Sequence, residues 1–320
     1  ELLMQKPVCV VWVNEAKACE QELARTGLTD RLEVHVVKID QSIPEDLASR
    51  AEILLAQRPG GYLKGMPKLR WIQATTSGVD YWLSSPDLPE DVTLSCARGA
   101  HRISMAENIL GAIFHITKPY MQIALDQRES RWTRRQSVTL AGKTLAILGL
   151  GAIGHELARK AAALEMRVIG TKRTPAAVPH VERVYAQEET DEVLSAAAFV
   201  VLLLPSTRET ENFINANRLR AMKPTAWLFN FGRGALINDA DLIAAVQAKI
   251  IAGAVLDVFR KEPLPTEHPF WNTEGIRVLP HLGGGHPERS KAMAALFADN
   301  ARRYLAREPL STEVDRTRGY

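Results

Sequence analysis

Short apolar runs alternate along this chain with segments in which apolar residues recur every three or four positions. The runs at 8–13, 32–39, 51–56 and 69–74 predict buried strands, and 15–25 and 44–50 predict helices, the first ended at Gly27. Gly60 and Gly61 mark a loop. Residues 104 to about 127 predict one long helix interrupted by Pro119, and 128–139, charged and holding Trp132, predicts an exposed connection. The run at 145–148 then enters a glycine-rich turn, an alanine-rich helix and a second strand in unbroken succession. Beyond it the pattern predicts strands at 199–204, 227–230, 253–258 and 277–279. It also predicts a helix at 239–248 opened by an acidic cap, and a last helix at 288–305. Strand and helix alternation of this kind predicts parallel α/β sheets.

The turn at mid-chain carries the first chemical signal. Gly149, Gly151 and Gly154 have G-x-G-x-x-G spacing directly after a strand and directly before a helix. The first glycine permits the tight turn, the second lets backbone approach a pyrophosphate, and the third lets helix and strand pack closely. Unpaired N–H groups at the helix start would face the phosphates. The motif's mid-chain position leaves the final helix outside the alternation. We therefore expect a Rossmann-type doubly wound parallel sheet domain, residues 104–284 with its linking helix, inserted into a smaller substrate domain made of 1–103 and 285–320. The two long helices should cross between the domains, with a cleft between them as the site.

Composition narrows the classes. A chain of 320 residues, 46% hydrophobic and 24% charged, has the balance of a soluble two-domain globular protein. A net charge of +3 is too small to argue for nucleic acid, and Arg131, Arg134 and Arg135 read as a solvated loop. Cys9, Cys19 and Cys96 are odd in number and lie far apart, which argues against a disulfide framework and a zinc site and for a reducing compartment. No apolar run is long enough to span a bilayer, and the start ELLMQKP lacks the pattern of a signal peptide, so the cytoplasm is the expected location and no membrane partner is expected.

Three side chains at predicted strand ends suit carbonyl reduction, which needs an electrophilic clamp and a general acid. Arg233 lies in a glycine-flanked turn and could fork onto a carboxylate or polarise a carbonyl. Glu262 follows the strand ending near Asp257, and His281 sits just past a strand and before three glycines. A carboxylate beside a histidine would fix its tautomer. The polar turn 75–80 also follows a strand, where open α/β sheets bind ligands.

In this order GLGAIG (149–154), LPSTRET (204–210), NFGRGALIN (230–238), GAVLDVFRKEPLP (253–265) and LPHLGG (279–284) resemble the D-isomer-specific 2-hydroxyacid dehydrogenase family. TTSGVD at 75–80 and VDRTRGY at 314–320 resemble more particularly its glyoxylate/hydroxypyruvate reductase A branch. The resemblance implies a flavodoxin-like substrate domain, a homodimer joined through the cofactor domain and the long helix, and a triad of Arg233, Glu262 and His281. It implies that Ser77, Gly78 and Val79 offer backbone N–H groups to the substrate carboxylate. Gly149, Gly151, Ala152, Ile153, Gly154 and Pro205 would line the cofactor, and Asp257 would lie near the nicotinamide. Trp132 would reach the neighbouring subunit's site or pack on its own domain. Tyr81 and Trp82 would wall the pocket or fill the core.

Two departures matter. Leu279 stands where the family commonly has threonine. At the end of the second strand, where an NAD site carries an acidic residue, the chain has Thr171, Lys172, Arg173 and Thr174. Lys172 and Arg173, with Thr174, would attract a 2′-phosphate, so NADPH is expected over NADH. The expected activity is reduction of a small 2-ketoacid such as glyoxylate or hydroxypyruvate to the D-hydroxy acid. The alternatives are a relative acting on another substrate, such as formate or phosphite, and a non-catalytic dinucleotide-sensing protein like the corepressors of this fold.

Overall fold

A computed structural model describes residues 6–320; the opening residues read above for a signal peptide lie, apart from Lys6 and Pro7, outside the described residues. The chain divides into two compact units, Glu1–His101 with His286–Tyr320, and Arg102–Gly285.

The first unit carries five parallel strands, β1 (Val8–Trp12), β2 (Glu33–Val36), β3 (Ala51–Ala56), β4 (Trp71–Ala74) and β5 (Thr93–Ser95), in the order β2-β1-β3-β4-β5. This is the flavodoxin-like order. Helices α1 (Ala16–Arg25), α2 (Glu45–Arg50) and α3 (Asp80–Leu83) connect the strands. The strands are apolar on both faces because both faces are covered: Val8 and Val10 face one core, Cys9 and Val11 the other. The C-terminal helix Arg289–Ala306 closes the second core with Met293, Ala294, Phe297, Ala298 and Ala301, the i, i+4 stripe its sequence sets out. Phe297 lies 5.5 Å from Trp71, ring centroid to centroid. Burying a side chain as large as Met293 or Phe297 contributes about 1.5–3 kcal/mol. Burial also pushes the Cys9 and Cys19 thiols up to about 12, so neither is a ready thiolate.

The second unit carries β6 (Thr144–Leu148), β7 (Arg167–Thr171), β8 (Arg183–Tyr185), β9 (Phe199–Leu202), β10 (Trp227–Asn230), β11 (Gly253–Leu256) and β12 (Ile276–Val278). All are parallel, in the order β12-β11-β10-β9-β6-β7-β8. The order reverses between β6 and β9, which is where a doubly wound sheet opens a crevice for a dinucleotide. Its helices are α4 (Arg102–Thr117), α5 (Tyr120–Arg128), α6 (Ala152–Ala163), α7 (Thr190–Ala196), α8 (Ala216–Ala221) and α9 (Asp239–Gln247); the C-terminal helix is α10. Alternate residues of β6 feed the two cores: Ala146 and Leu148 one, Leu145 and Ile147 the other.

Several local expectations need correction. The long helix expected over 104–127 is two, α4 and α5, broken at Lys118 and Pro119 because proline lacks the N–H and its ring clashes with the preceding turn. Each of the two long helices expected to cross between domains belongs wholly to one unit. The cap of α9 is Asn238, whose side chain accepts from the Asp241 N–H at 3.1 Å; the acidic residue Asp239 is already inside the helix. The strand expected over 32–39 is only β2, ending at Val36, and that over 199–204 stops at Leu202. β5 and β8, in which polar residues flank the apolar ones, fall outside the predicted strands.

Candidate active site

The loop from β6 to α6 is built on two close approaches and one open position. Gly149 has φ +106°, and a Cβ there would lie 2.9 Å from the Leu203 carbonyl. A Cβ on Gly154 would lie 2.8 Å from the Gly149 oxygen, whereas Gly151 has open space around it. The first helical bond of α6 runs from His155 N–H to Gly151 O at 2.9 Å. The N–H groups of Ala152, Ile153 and Gly154 donate to no acceptor among the described residues. Backbone donors beside an open glycine fit a pyrophosphate.

At the end of β7, Lys172 is half-buried and donates its backbone N–H to Tyr185 O at 3.0 Å, while Arg173 and Thr174 are exposed. No carboxylate stands within these four residues. Across from them Glu209 has its carboxyl held below the ordinary range by the Thr207 hydroxyl and its own backbone, and then by the charges of Arg173 and Arg208. Pro205 follows β9 and its carbonyl accepts the Thr210 hydroxyl at 2.7 Å.

Arg233, Glu262 and His281 all lie in the second unit, in loops at the C-terminal ends of β10, β11 and β12. Asn230, the last residue of β10, is buried and spans the Arg233 turn: its Oδ1 accepts Gly232 N–H at 3.1 Å and its Nδ2 donates to Arg233 O at 2.9 Å. The half-buried Arg233 also donates from Nη1 to Gly232 O at 2.8 Å. Gly234 is required next to it, because a Cβ there would sit 2.0 Å from the Phe259 carbonyl carbon. That contact seats the Arg233 turn on the loop that carries Glu262. Arg260 ties the same loop down, donating to Ile237 O at 2.6 Å and to the Asn212 side chain.

Glu262 uses both oxygens. Oε1 accepts Phe259 N–H at 2.9 Å and Oε2 lies 2.5 Å from His281 Nδ1. His281 is exposed and has φ +52°, a left-handed conformation that few non-glycine residues adopt. The buried carboxylate of Asp257 holds that turn: Oδ1 accepts Leu282 N–H at 2.8 Å and Oδ2 accepts Gly283 N–H at 2.9 Å. Burial raises the Asp257 carboxyl above its ordinary range against the pull of these N–H groups and of His281. The sequence marked Asp257 for its position by the nicotinamide; the bracing of the His281 turn was not legible in it, nor was the role of Asn230. Leu279 keeps its backbone bond to Leu256 O at 2.8 Å, so the departure from threonine leaves the strand end intact.

In the first unit the turn after β4 is fastened by side chains. Thr76 Oγ1 donates to Gly78 O at 2.7 Å and Ser77 Oγ to Ala97 O at 3.0 Å. The N–H groups of Ser77, Gly78 and Val79 donate to no acceptor among the described residues. Trp82, 1% exposed, belongs to the core, while Tyr81 is 66% exposed and lies under the Arg58 guanidinium at 4.8 Å. Trp132 is 94% exposed, so it does not pack on its own domain. Its loop is anchored by Asp126, which accepts from Arg135 at 2.7 Å and Arg131 at 3.2 Å. Among the described residues no cluster of side chains could hold a metal and no helix is long and apolar enough to cross a membrane.

Comparison with known proteins accounts for this arrangement. Residues 110–283 match the model of the D-isomer specific 2-hydroxyacid dehydrogenase NAD binding domain. A glyoxylate reductase of Pyrococcus furiosus is 33% identical over 82% of this chain and 75% of its own length. A glyoxylate/hydroxypyruvate reductase A of Yersinia enterocolitica is 29% identical over 83% of this chain and 87% of its own. The crystal structure of a D-isomer specific 2-hydroxyacid dehydrogenase from Xanthobacter autotrophicus, in complex with NADPH and MES, is 28% identical. It superposes with a TM-score of 0.85 over 99% of this chain and 100% of its own. With the glycine turn, the reversed strand order and the matched domain in agreement, the chain belongs to the D-isomer specific 2-hydroxyacid dehydrogenase family, oxidoreductases that use a nicotinamide dinucleotide.

Proposed function

We propose that this protein is an NADPH-preferring reductase of small 2-ketoacids, glyoxylate and hydroxypyruvate among them, giving the D-hydroxy acid where a stereocentre forms. The observation that carries the reading is the 2.5 Å contact between His281 Nδ1 and Glu262 Oε2, on a turn braced by Asp257. With Nδ1 committed to Glu262, Nε2 is the nitrogen left to face substrate. A reduced nicotinamide dinucleotide, held by the glycine turn, would supply the hydride for the carbonyl carbon. His281 gives its Nε2 proton to the carbonyl oxygen as that oxygen gains charge, and Glu262 keeps the ring in the donating orientation. Arg233 polarises the same carbonyl and pairs with the carboxylate. Ser77, Gly78 and Val79 are assigned to the carboxylate through their unspent N–H groups.

Gly149, Gly151, Ala152, Ile153 and Gly154 are assigned to the pyrophosphate and Pro205 to the cofactor's wall. Lys172, Arg173 and Thr174 are assigned to a 2′-phosphate; the lack of a carboxylate in this stretch supports NADPH, as does the NADPH bound to the Xanthobacter relative. A homodimer is supported by the apolar side chains that α5 and its loop leave exposed, Tyr120 at 72% and Trp132 at 94%, with Met121 and Ile123 beside them. Three free buried thiols support a reducing, cytoplasmic setting. The test is steady-state oxidation of NADPH and NADH with a panel of 2-ketoacids. Turnover of glyoxylate or hydroxypyruvate with higher kcat/KM for NADPH is expected; no turnover of any 2-ketoacid sinks the activity, and a preference for NADH sinks the role of Lys172 and Arg173.

A further inference from the structure

The first unit holds a cation that the mechanism above does not use. Strands β3 and β4 are neighbours in the sheet, so the loops leaving their C-terminal ends emerge side by side. The loop after β3 carries Arg58; the segment after β4 carries the Ser77 to Val79 turn and, in α3, Tyr81. The guanidinium of Arg58 rests 4.8 Å from the centroid of the Tyr81 ring, which links the β3 loop to α3 through a cation–π contact. The Arg58 carbonyl in turn accepts the Tyr62 hydroxyl at 2.6 Å, so the backbone that presents the guanidinium is held as well.

Among the described residues no carboxylate pairs with the Arg58 guanidinium, whereas Arg70 of the same unit has Asp91 at 3.5 Å. A guanidinium placed over an aromatic face still has N–H donors to give, and its fork matches a carboxylate. It stands beside a turn whose three N–H groups are also unspent. Two anion receptors, one of backbone and one of side chain, thus lie together at one edge of one sheet.

We infer that Arg58, held by Tyr81, is a specificity-determining residue that receives a second carboxylate, making 2-ketodicarboxylates such as oxaloacetate preferred substrates over monocarboxylates of the same chain length. The inference rests on the 2-ketoacid reductase reading for its kinetic arm and stands without it for its binding arm. The turn takes the carboxylate next to the carbonyl and Arg58 takes the distal one. A charge-assisted fork of this kind corresponds to roughly a tenfold or greater gain in affinity.

The experiment compares oxaloacetate with 2-oxobutanoate as substrates. In parallel it compares D-malate with D-2-hydroxybutanoate as ligands, titrated by calorimetry with NADP present, in the wild type, Arg58→Met, Tyr81→Phe and Tyr81→Leu. The wild type should favour the dicarboxylate in both arms. Arg58→Met should lower the oxaloacetate to 2-oxobutanoate ratio of kcat/KM about tenfold, mostly through KM, and lower the D-malate preference to match. Tyr81→Phe keeps the ring and should keep the preference; Tyr81→Leu should lose part of it. Raising ionic strength should reduce the wild-type ratio and leave that of Arg58→Met flat. An equal loss for both substrates in Arg58→Met, or an unchanged ratio in both arms, overturns the assignment. If no 2-ketoacid is reduced at all, the activity reading fails, and the D-malate titration alone decides the role of Arg58.

Discussion

The turns at the ends of β10, β11 and β12 and the turn after β4 occupy equivalent places at the C-terminal edges of two parallel sheets, yet they spend their polar groups in opposite ways. In the first set, Asn230 and Asp257 are buried and Glu262 is exposed, and each of the three accepts from or donates to neighbouring backbone. The side chains these turns carry are Arg233, half-buried and donating to Gly232 O, and His281, exposed with its Nδ1 on Glu262. In the turn after β4, side chains are consumed instead, with Thr76 and Ser77 bonded to carbonyls, and the backbone N–H groups of Ser77, Gly78 and Val79 are what remain. A turn that must aim a side chain needs its backbone fixed by others; a turn that is itself the receptor must keep its backbone unpaired.

The comparison breaks first at His281. Replacing it with alanine should lower kcat by about 10²- to 10⁴-fold for lack of the general acid, with NADPH affinity nearly unchanged by fluorescence titration. Arg233→Ala should lower kcat/KM by a similar order. Full activity in His281→Ala would falsify the proton-donor assignment and leave the braced turn without a purpose.

Glycines sharpen the contrast next. Gly234→Ala puts a Cβ 2.0 Å from the Phe259 backbone, so both loops must shift; a loss of about 1–3 kcal/mol is expected by urea denaturation. Gly151→Ala meets nothing within 4 Å, so its stability should stay within about 0.5 kcal/mol of the parent while NADPH binds more weakly. If the two variants lost stability alike, the distinction between a packed turn and a receiving turn would be wrong. Asp257→Asn turns an amide donor toward the N–H of Leu282 or Gly283, which should cost about 1–3 kcal/mol and lower kcat more than it raises KM. An unchanged kcat in that variant would detach Asp257 from the His281 turn.

What the sequence revealed follows the same division. Buried parallel strands such as β3, β6 and β10 stand out as apolar runs because both faces are covered, and Gly149 and Gly154 announce themselves because only glycine fits their backbone contacts. Arg233, Glu262 and His281 stand out by their places at predicted strand ends, and the resemblance in motif order joins them as a triad. The 2.5 Å contact of Glu262 with His281, the staple at Asn230 and the bracing by Asp257 join residues 3 to 26 positions apart in turns, where no periodicity carries the pairing. β5 (Thr93, Leu94, Ser95) and β8 (Arg183, Val184, Tyr185) set their apolar residues beside polar ones and make no apolar run. The break at Pro119 was visible as an interruption, but whether it bends or ends a helix depends on the packing around it.

Charge at the end of β7 tests the cofactor side. Lys172→Glu with Arg173→Glu should repel a 2′-phosphate and shift the NADPH to NADH ratio of kcat/KM by about tenfold or more toward NADH. Because Glu209 already lies in the field of Arg173, Glu209→Gln should shift the ratio the other way and by less. No movement in either variant would place the 2′-phosphate elsewhere.

The smallest effect concerns the loop that presents Trp132. Asp126 is buried at the end of α5 and its carboxyl is held below the ordinary range, first by the hydrogen bond from Arg135 and then by that from Arg131. Its folded value lies below the unfolded one, so the contribution is present above about pH 3.9, the ordinary carboxylate value, and is lost as pH falls through the folded value. Near neutral pH the loop should therefore resist trypsin at Arg131, Arg134 and Arg135, and Asp126→Asn should admit cleavage there with little change in global melting. Lowering the pH through that folded value should reproduce in the parent, by hydrogen exchange of residues 128–139, what the substitution does at pH 7. Equal protection of that segment in parent and Asp126→Asn would mean that the two arginines do not hold the loop, and that the exposure of Trp132 has another support.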